Sequence, residues 1–259
     1  LLELSLAARY SDYDNFGSNT SGKIGLRWKP FEDLLVRATY SEAFRAPTTN
    51  ELYSDDGVTL GNADLTVEQI TTYEAQYLHQ MKNWSAEVTV FYNILDDLIA
   101  SVLIDDNSGR TQFRNSGSKD IMGLEALGYY QINQYAKLRG TWTSYLNDTI
   151  EHSYQYFGSL AFMADYNHVQ FSLNTIYRPK VEVNEGFRVS GEDLFFAESD
   201  LFIVNMNLGY ELGRNIKLGL QVNNLFDESY EIYEPRQNLN GYQVPQSGRE
   251  VKASISYQF

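Results

Sequence analysis

Apolar and polar residues alternate with a period of two through most of this chain. Between positions 249 and 259, Val251, Ala253, Ile255, Tyr257 and Phe259 fall on one face, and Glu250, Lys252, Ser254, Ser256 and Gln258 on the other. Trp84, Ala86, Val88, Val90 and Tyr92 likewise oppose Ser85, Glu87, Thr89, Phe91 and Asn93. The stretches 169–175, 204–210 and 217–223 read the same way. A period of two describes extended strands with one apolar face, and no stretch sustains a helical period. Twelve strands are expected, near 2–12, 21–30, 34–44, 67–81, 84–100, 111–131, 136–147, 157–166, 168–180, 199–211, 215–226 and 248–259. Each is long enough for the roughly 9–11 tilted residues that cross a bilayer.

The connections alternate between two kinds. Short ones fall at 29–33, 81–83, 132–134, 166–167 and 212–215; long ones lie around 12–20, 45–66, 101–110, 148–156, 181–198 and 227–247. Short turns on one side and long loops on the other describe an antiparallel transmembrane β-barrel of an outer membrane, with the short side periplasmic and the long loops extracellular. The chain then ends, at Phe259, on the periplasmic side. All five prolines (30, 47, 179, 235, 245) fall at strand ends or in connections, where no ladder hydrogen bond is lost. Trp28 and Trp84 flank short turns, as interfacial anchors should, whereas Trp142 falls mid-strand and breaks that rule.

Composition fits this reading. No window approaches the roughly 18 consecutive apolar residues of a membrane helix, but barrel strands keep mean hydropathy low. Twenty Tyr among 259 residues suit boundaries that are apolar at one end and wet at the other. Without Cys, disulfide scaffolds and thiolate metal sites are excluded. The long loops hold 19 acidic residues against Arg45, Arg110, Arg188 and Arg236, a net of −15 where the whole chain is −14. Strands and short turns are therefore nearly neutral. Acidic loops keep an outer face soluble or bridge divalent ions to lipopolysaccharide. No basic stripe exists, so nucleic acid is not an expected partner. Arg9, Arg27, Arg37, Lys137, Arg139, Lys217, Lys252, Glu74, Glu87 and Glu125 all fall on polar faces, where charge is tolerated. The chain opens directly in strand-like alternation with no leader, so it is expected to be part of a longer protein.

Several blocks resemble signature segments of TonB-dependent outer-membrane receptors. Phe44-Arg45-Ala46-Pro47 with Asn50-Glu51-Leu52-Tyr53 resembles "FRAP…ELY", and Asn62-Ala63-Asp64-Leu65-Thr66-Val67-Glu68 partly matches "NPDLKPE". Asn115-Ser116-Gly117 with Gly123-Leu124-Glu125 resembles "N-x-G…G-x-E". Asn223-Asn224-Leu225-Phe226-Asp227-Glu228-Ser229-Tyr230 resembles "NNLFDxxY", and Gly248-Arg249 with terminal Phe259 resembles the last strand. The resemblance implies that residues 1–259 are the C-terminal part of a 22-stranded barrel, with the N-terminal plug and first strands outside this chain. It further implies a monomeric, non-catalytic receptor in outer-membrane lipid that takes up a metal chelate or similar small ligand, a ferric siderophore first. Uptake would be energised by the TonB complex through that missing N-terminal region.

Haem receptors of this kind typically carry a His between the first two blocks, and residues 48–61 have none. Of His79, His152 and His168, only His152 falls in a long loop, so haem is disfavoured. Cobalamin and carbohydrate also rank behind the siderophore. Ligand contacts are expected from Tyr53, Tyr154, Tyr156, Phe187, Phe195, Tyr233, Tyr242 and Arg236, with no resident cofactor or metal. From a different class, a twelve-stranded barrel of this length also resembles an outer-membrane phospholipase, and a passive pore is a third reading. No Ser-His-acid arrangement stands out to support the enzyme.

Overall fold

The computed structural model describes residues 1–13, 17–105, 109–147, 154–182, 188–189, 192–193, 197–198, 200–236 and 239–259. Twelve strands form one antiparallel sheet whose spatial order is the order of the sequence. These are β1 (Leu2–Tyr13), β2 (Gly17–Phe31), β3 (Leu34–Arg45), β4 (Glu68–Gln80), β5 (Trp84–Asp96) and β6 (Lys119–Gln131). They continue as β7 (Ala136–Tyr145), β8 (Tyr156–Tyr166), β9 (Val169–Arg178), β10 (Leu201–Leu212), β11 (Ile216–Asn223) and β12 (Glu250–Tyr257). The chain divides into two compact units. Unit 1 is Leu1–Leu78 with Thr89–Gly123; unit 2 is His79–Val88 with Leu124–Phe259.

Register carries the alternation across neighbouring strands. In unit 1, Leu2, Leu4 and Leu6 pair with Trp28, Leu26 and Ile24, and Leu26 and Ile24 pair onward with Ala38 and Tyr40. The opposite face joins Glu3, Arg27 and Arg37, with Arg27 Nη1 3.1 Å from Glu3 Oε2. In unit 2, Phe171, Leu208, Leu220 and Ala253 make an apolar row beside a polar row of Ser172, Asn207, Gln221 and Lys252. A one-residue slip would exchange the two faces, so the lipid requirement fixes the register. Leu2, Leu4 and Leu6 are 65%, 63% and 70% exposed, so the apolar face points away from protein. It is not a core.

The buried apolar side chains gather at the long-loop ends of the strands: Leu52, Leu65 and Val67 in unit 1, and Leu201, Ile203, Val204 and Val222 in unit 2. The short turns are closed by local chemistry. Asn133 Oδ1 accepts the Tyr135 and Ala136 amides at 2.8 and 3.0 Å. Asn167 and Gly213 supply the left-handed residues that tight reversals need, with φ of 56° and 69°.

Three expectations need correction. The supposed long loop at 12–20 is mostly strand, because β1 and β2 pair from Leu2↔Trp28 to Tyr13↔Gly17. Ser18, Asn19 and Thr20 continue the ladder past the apolar band, where no apolar face is required. The strands expected at 84–100 and 111–131 are shorter. Asp97 (φ 55°) ends β5 and Gly117 (φ 114°) precedes β6. Between them, Ile99–Asp105 and Arg110–Asn115 pair with each other, and the latter also pairs in parallel with Thr59–Leu60. Lastly, Trp142, expected mid-strand, lies toward the long-loop end of β7. Its ring stacks on Tyr156 at 5.5 Å, and Tyr156 stacks on Tyr177 at 6.3 Å. The three sit toward the long-loop ends of β7, β8 and β9, as an upper aromatic girdle does. Gly158 makes room for the indole, since a Cβ there would lie 2.7 Å from Trp142 Cε3.

Candidate ligand-facing site

In unit 1, the signature residues tie two long loops to the wall. Thr48 caps the short helix α1 (Thr49–Tyr53): its Oγ1 accepts the Glu51 amide, and Glu51 Oε2 accepts the Thr48 amide at 2.7 Å. This reciprocal box satisfies amides that a helix start leaves without partners. Arg45, at the end of β3, reaches two carboxylates. Its Nη1 and Nη2 donate to Glu51 at 2.9 and 3.0 Å, and its Nε and Nη2 donate to Glu68 at 2.6 Å each. Glu68 Oε1 also accepts the Ile99 amide at 2.8 Å, which binds the second loop. Asn115 closes the joint: Oδ1 accepts the Thr66 amide, and Nδ2 donates to the carbonyls of Thr66 and Asp97. Leu65, only 2% exposed, fills the space beneath. Arg45 holds the Glu51 carboxyl below its ordinary range, against the opposing effect of burial. Arg110 in turn lies 3.3 Å from Asp55.

In unit 2, the Asn224–Tyr230 block forms a second joint. Asn224 is buried with φ 51°, a conformation Asn tolerates better than most side chains. Its amide donates to Asn205 Oδ1 at 2.9 Å, while its side chain accepts from the Glu228 amide and donates to the Glu228 carbonyl, both at 2.8 Å. Asp227 Oδ1 accepts the Arg249 amide at 2.7 Å, and that hydrogen bond holds the carboxyl below its usual range. Gly248 leaves room for that carboxylate, since a Cβ there would lie 2.7 Å from Asp227 Oδ1 and displace it.

Beside this joint, Arg178 ends β9 on the polar-face parity. Its guanidinium lies over the rings of Tyr154 at 4.7 Å and Tyr230 at 5.9 Å. A cation held between aromatic rings at the loop end of the wall suits an anionic or aromatic ligand. Further along the polar face of unit 2 is a concavity of about 1020 Å³. Lys137, Asp165, Gln170, Asn207, Gln221 and Lys252 line it, and Gly209 opposite Gly219 leaves part of its wall bare.

The sequence-derived candidates separate in the fold. Tyr53 stands exposed on α1, Tyr154 joins Arg178, and Tyr156 lies on the apolar-face parity against Trp142 and Tyr177. Phe187, Phe195 and His152 lie outside the described residues. The side chains of Tyr233, Arg236 and Tyr242 do too, although their backbones belong to the pair Glu231–Arg236 and Leu239–Pro245. Alternation alone does not single out Arg178. Its polar-face parity at a strand end, immediately before Pro179, is the signal that could have found it. Among the described residues, no group of three or more His, Cys, Asp or Glu gathers as a metal site.

Comparison with known proteins places this geometry. The family described as "TonB dependent receptor-like, beta-barrel" matches residues 2–225. The vitamin B12 transporter BtuB of Vibrio cholerae is 27% identical over 100% of this chain and 40% of its own length. Its counterpart in Photobacterium profundum is 31% identical over 46% of the chain. Among solved structures, the ferric enterobactin receptor PfeA of Pseudomonas aeruginosa aligns with a TM-score of 0.84 at 18% identity, covering 100% of this chain and 43% of that one. The siderophore receptor PirA of Acinetobacter baumannii aligns at 0.81 and 18% identity, again over 43% of its chain. The present chain thus spans well under half of these relatives.

Proposed function

We propose, because this chain belongs to the TonB-dependent receptor family, that the protein carrying it is an outer-membrane receptor for active uptake of a scarce metal chelate. The matched relatives are transporters and receptors, so the phospholipase-like reading falls away. The long loops face the exterior, the short turns and Phe259 face the periplasm, and the receptor works as a monomer. Energy comes from the TonB complex through parts of the protein beyond this chain.

A ferric siderophore is the preferred ligand. The observation that carries it is the Arg178–Tyr154–Tyr230 box at the loop end of the polar wall, which offers a cation and two rings together. By contrast, Arg45 and Arg110 are bound to the carboxylates of Glu51, Glu68 and Asp55. Cobalamin is the second reading, favoured by similarity to vitamin B12 transporters along the whole chain. Titration calorimetry on the full-length protein, with a panel of ferric siderophores and cyanocobalamin, separates the two. Removing the guanidinium in Arg178→Ala is expected to weaken siderophore binding about tenfold, the effect of roughly 1.4 kcal/mol. Binding of cyanocobalamin alone, or siderophore binding indifferent to Arg178, would overturn the preference.

A further inference from the structure

The charge around the Arg178 box limits which ferric chelate can enter it. Three long loops of unit 2 leave the sheet at the box's end, joining β7 to β8, β9 to β10 and β11 to β12. Residues 148–156, 181–198 and 227–247 hold eleven acidic residues against Arg188 and Arg236. The other described cations at this end each have a carboxylate beside them. Asp200 accepts the Lys180 amide at 2.7 Å, Arg249 lies 3.5 Å from Asp227, and Lys252 lies 3.0 Å from Glu250. Approach to the box is therefore through a negative field, which slows an anion and leaves a neutral molecule unaffected.

Arg178 itself supplies one positive charge. With the rings of Tyr154 and Tyr230 over the guanidinium, its N–H groups donate edgewise, to oxygen atoms in its plane. Three catecholates, each doubly charged, leave a ferric complex with three negative charges. Three hydroxamates, each singly charged, leave none. One guanidinium offsets a third of the first complex's charge, and the rest would have to leave water among acidic loops. The polar concavity of the same unit has chemistry that suits the second complex. Gln170, Asn207 and Gln221 line it with amides, and Lys137 is offset by Asp165. Such amides hydrogen-bond the oxygens of an uncharged chelate without bringing a charge of their own.

We infer that the chelate taken at the Arg178 box is an uncharged ferric trihydroxamate, and that tricatecholates are turned away by their charge. The inference rests on the siderophore reading above and narrows it to one chemical class. It is tested on the full-length protein with ferrichrome as the trihydroxamate, ferric enterobactin as the tricatecholate, and cyanocobalamin. Affinities come from titration and association rates from stopped-flow quenching of tryptophan fluorescence. Ferrichrome is expected to bind about a hundredfold more tightly than ferric enterobactin, because the unmatched charges must be desolvated. Raising the ionic strength from about 0.01 to 0.15 M shortens the Debye length from about 30 to 8 Å, so association of ferric enterobactin should quicken while that of ferrichrome stays level. Glu228 and Glu231 are exposed, and Glu228→Lys with Glu231→Lys reverses part of the field. Heat-modifiable gel migration reports that this variant has folded. Its association with ferric enterobactin should rise about tenfold at low salt, with ferrichrome unchanged. Ferric enterobactin bound as tightly as ferrichrome, associating more slowly as salt rises, or indifferent to the two lysines would overturn the inference and leave the siderophore reading standing. Failure of both chelates to bind, with cyanocobalamin bound or not, would overturn the two together.

Discussion

Replacing Arg45 with alanine is expected to release the two long loops of unit 1, with amide exchange at Leu52 and Ile99 accelerating about thirtyfold. The guanidinium is the only group joining the carboxylates of Glu51 and Glu68 among the described contacts, and Glu68 in turn holds the Ile99 amide. Without it, two negative charges face each other and four charge-assisted hydrogen bonds are lost. Such bonds are worth about 1.5–3 kcal/mol each to a charged group. Arg45 is 44% exposed, so solvent screening brings the sum down to about 2 kcal/mol, which is roughly thirtyfold. Arg45→Lys keeps the charge but not the fork and should fall between. Acid should imitate the mutation. Glu51 titrates lower in the folded protein, so its stabilisation is complete above the unfolded pKa of about 4.3 and is lost as pH falls through the folded value. Loop exchange, corrected for intrinsic rate, should therefore be flat from about pH 6 to 8 and rise toward pH 3. Equal exchange in wild type and Arg45→Ala would show that the loops are held elsewhere.

Asn224→Ala is expected to be the most damaging single change in unit 2, costing about 3 kcal/mol. It removes both side-chain hydrogen bonds to Glu228, worth about 1 kcal/mol each, and leaves a part-buried amide and carbonyl without those partners. It also forces alanine to hold φ 51°, a further cost of about 1 kcal/mol. Asn224→Gly relieves the backbone but not the hydrogen bonds, so it should recover about 1 kcal/mol of the loss. The measurement is the midpoint of heat-modifiable migration in the full-length protein, in the order wild type, Asn224→Gly, Asn224→Ala. A glycine variant as stable as wild type would show that the side chain holds nothing.

What the sequence made legible was set by lipid. Wherever one face must be apolar, parity fixed strand, register and orientation of side chains, from Leu2 opposite Trp28 to Val222 opposite Val251. Beyond the apolar band that constraint ends while the ladder continues, which is why Gly17–Thr20 read as loop. The parallel pair of Thr59–Leu60 with Arg110–Asn115 joins residues some fifty positions apart, and no local pattern encodes it. The α1 helix was legible in principle, since Thr48 and Glu51 have capping-box spacing, but a single turn shows no periodicity. The signature blocks were readable as a resemblance and opaque as mechanism. Arg45, Asn115 and Asn224 are joints of the long-loop scaffold, and their partners Glu68, Thr66 and Glu228 emerge only once the chain is folded. Arg178 acquires its aromatic partners the same way, from two tyrosines brought to it by separate loops.

The wall topology can be tested directly because the chain contains no cysteine of its own. A single cysteine in place of Val58, 52% exposed in a long loop, should react with a membrane-impermeant maleimide on intact cells. One in place of Lys82, exposed in the short turn between β4 and β5, should react only after the outer membrane is permeabilised. The opposite pattern, or equal labelling of both positions on intact cells, would contradict a membrane-spanning wall with its long loops outside.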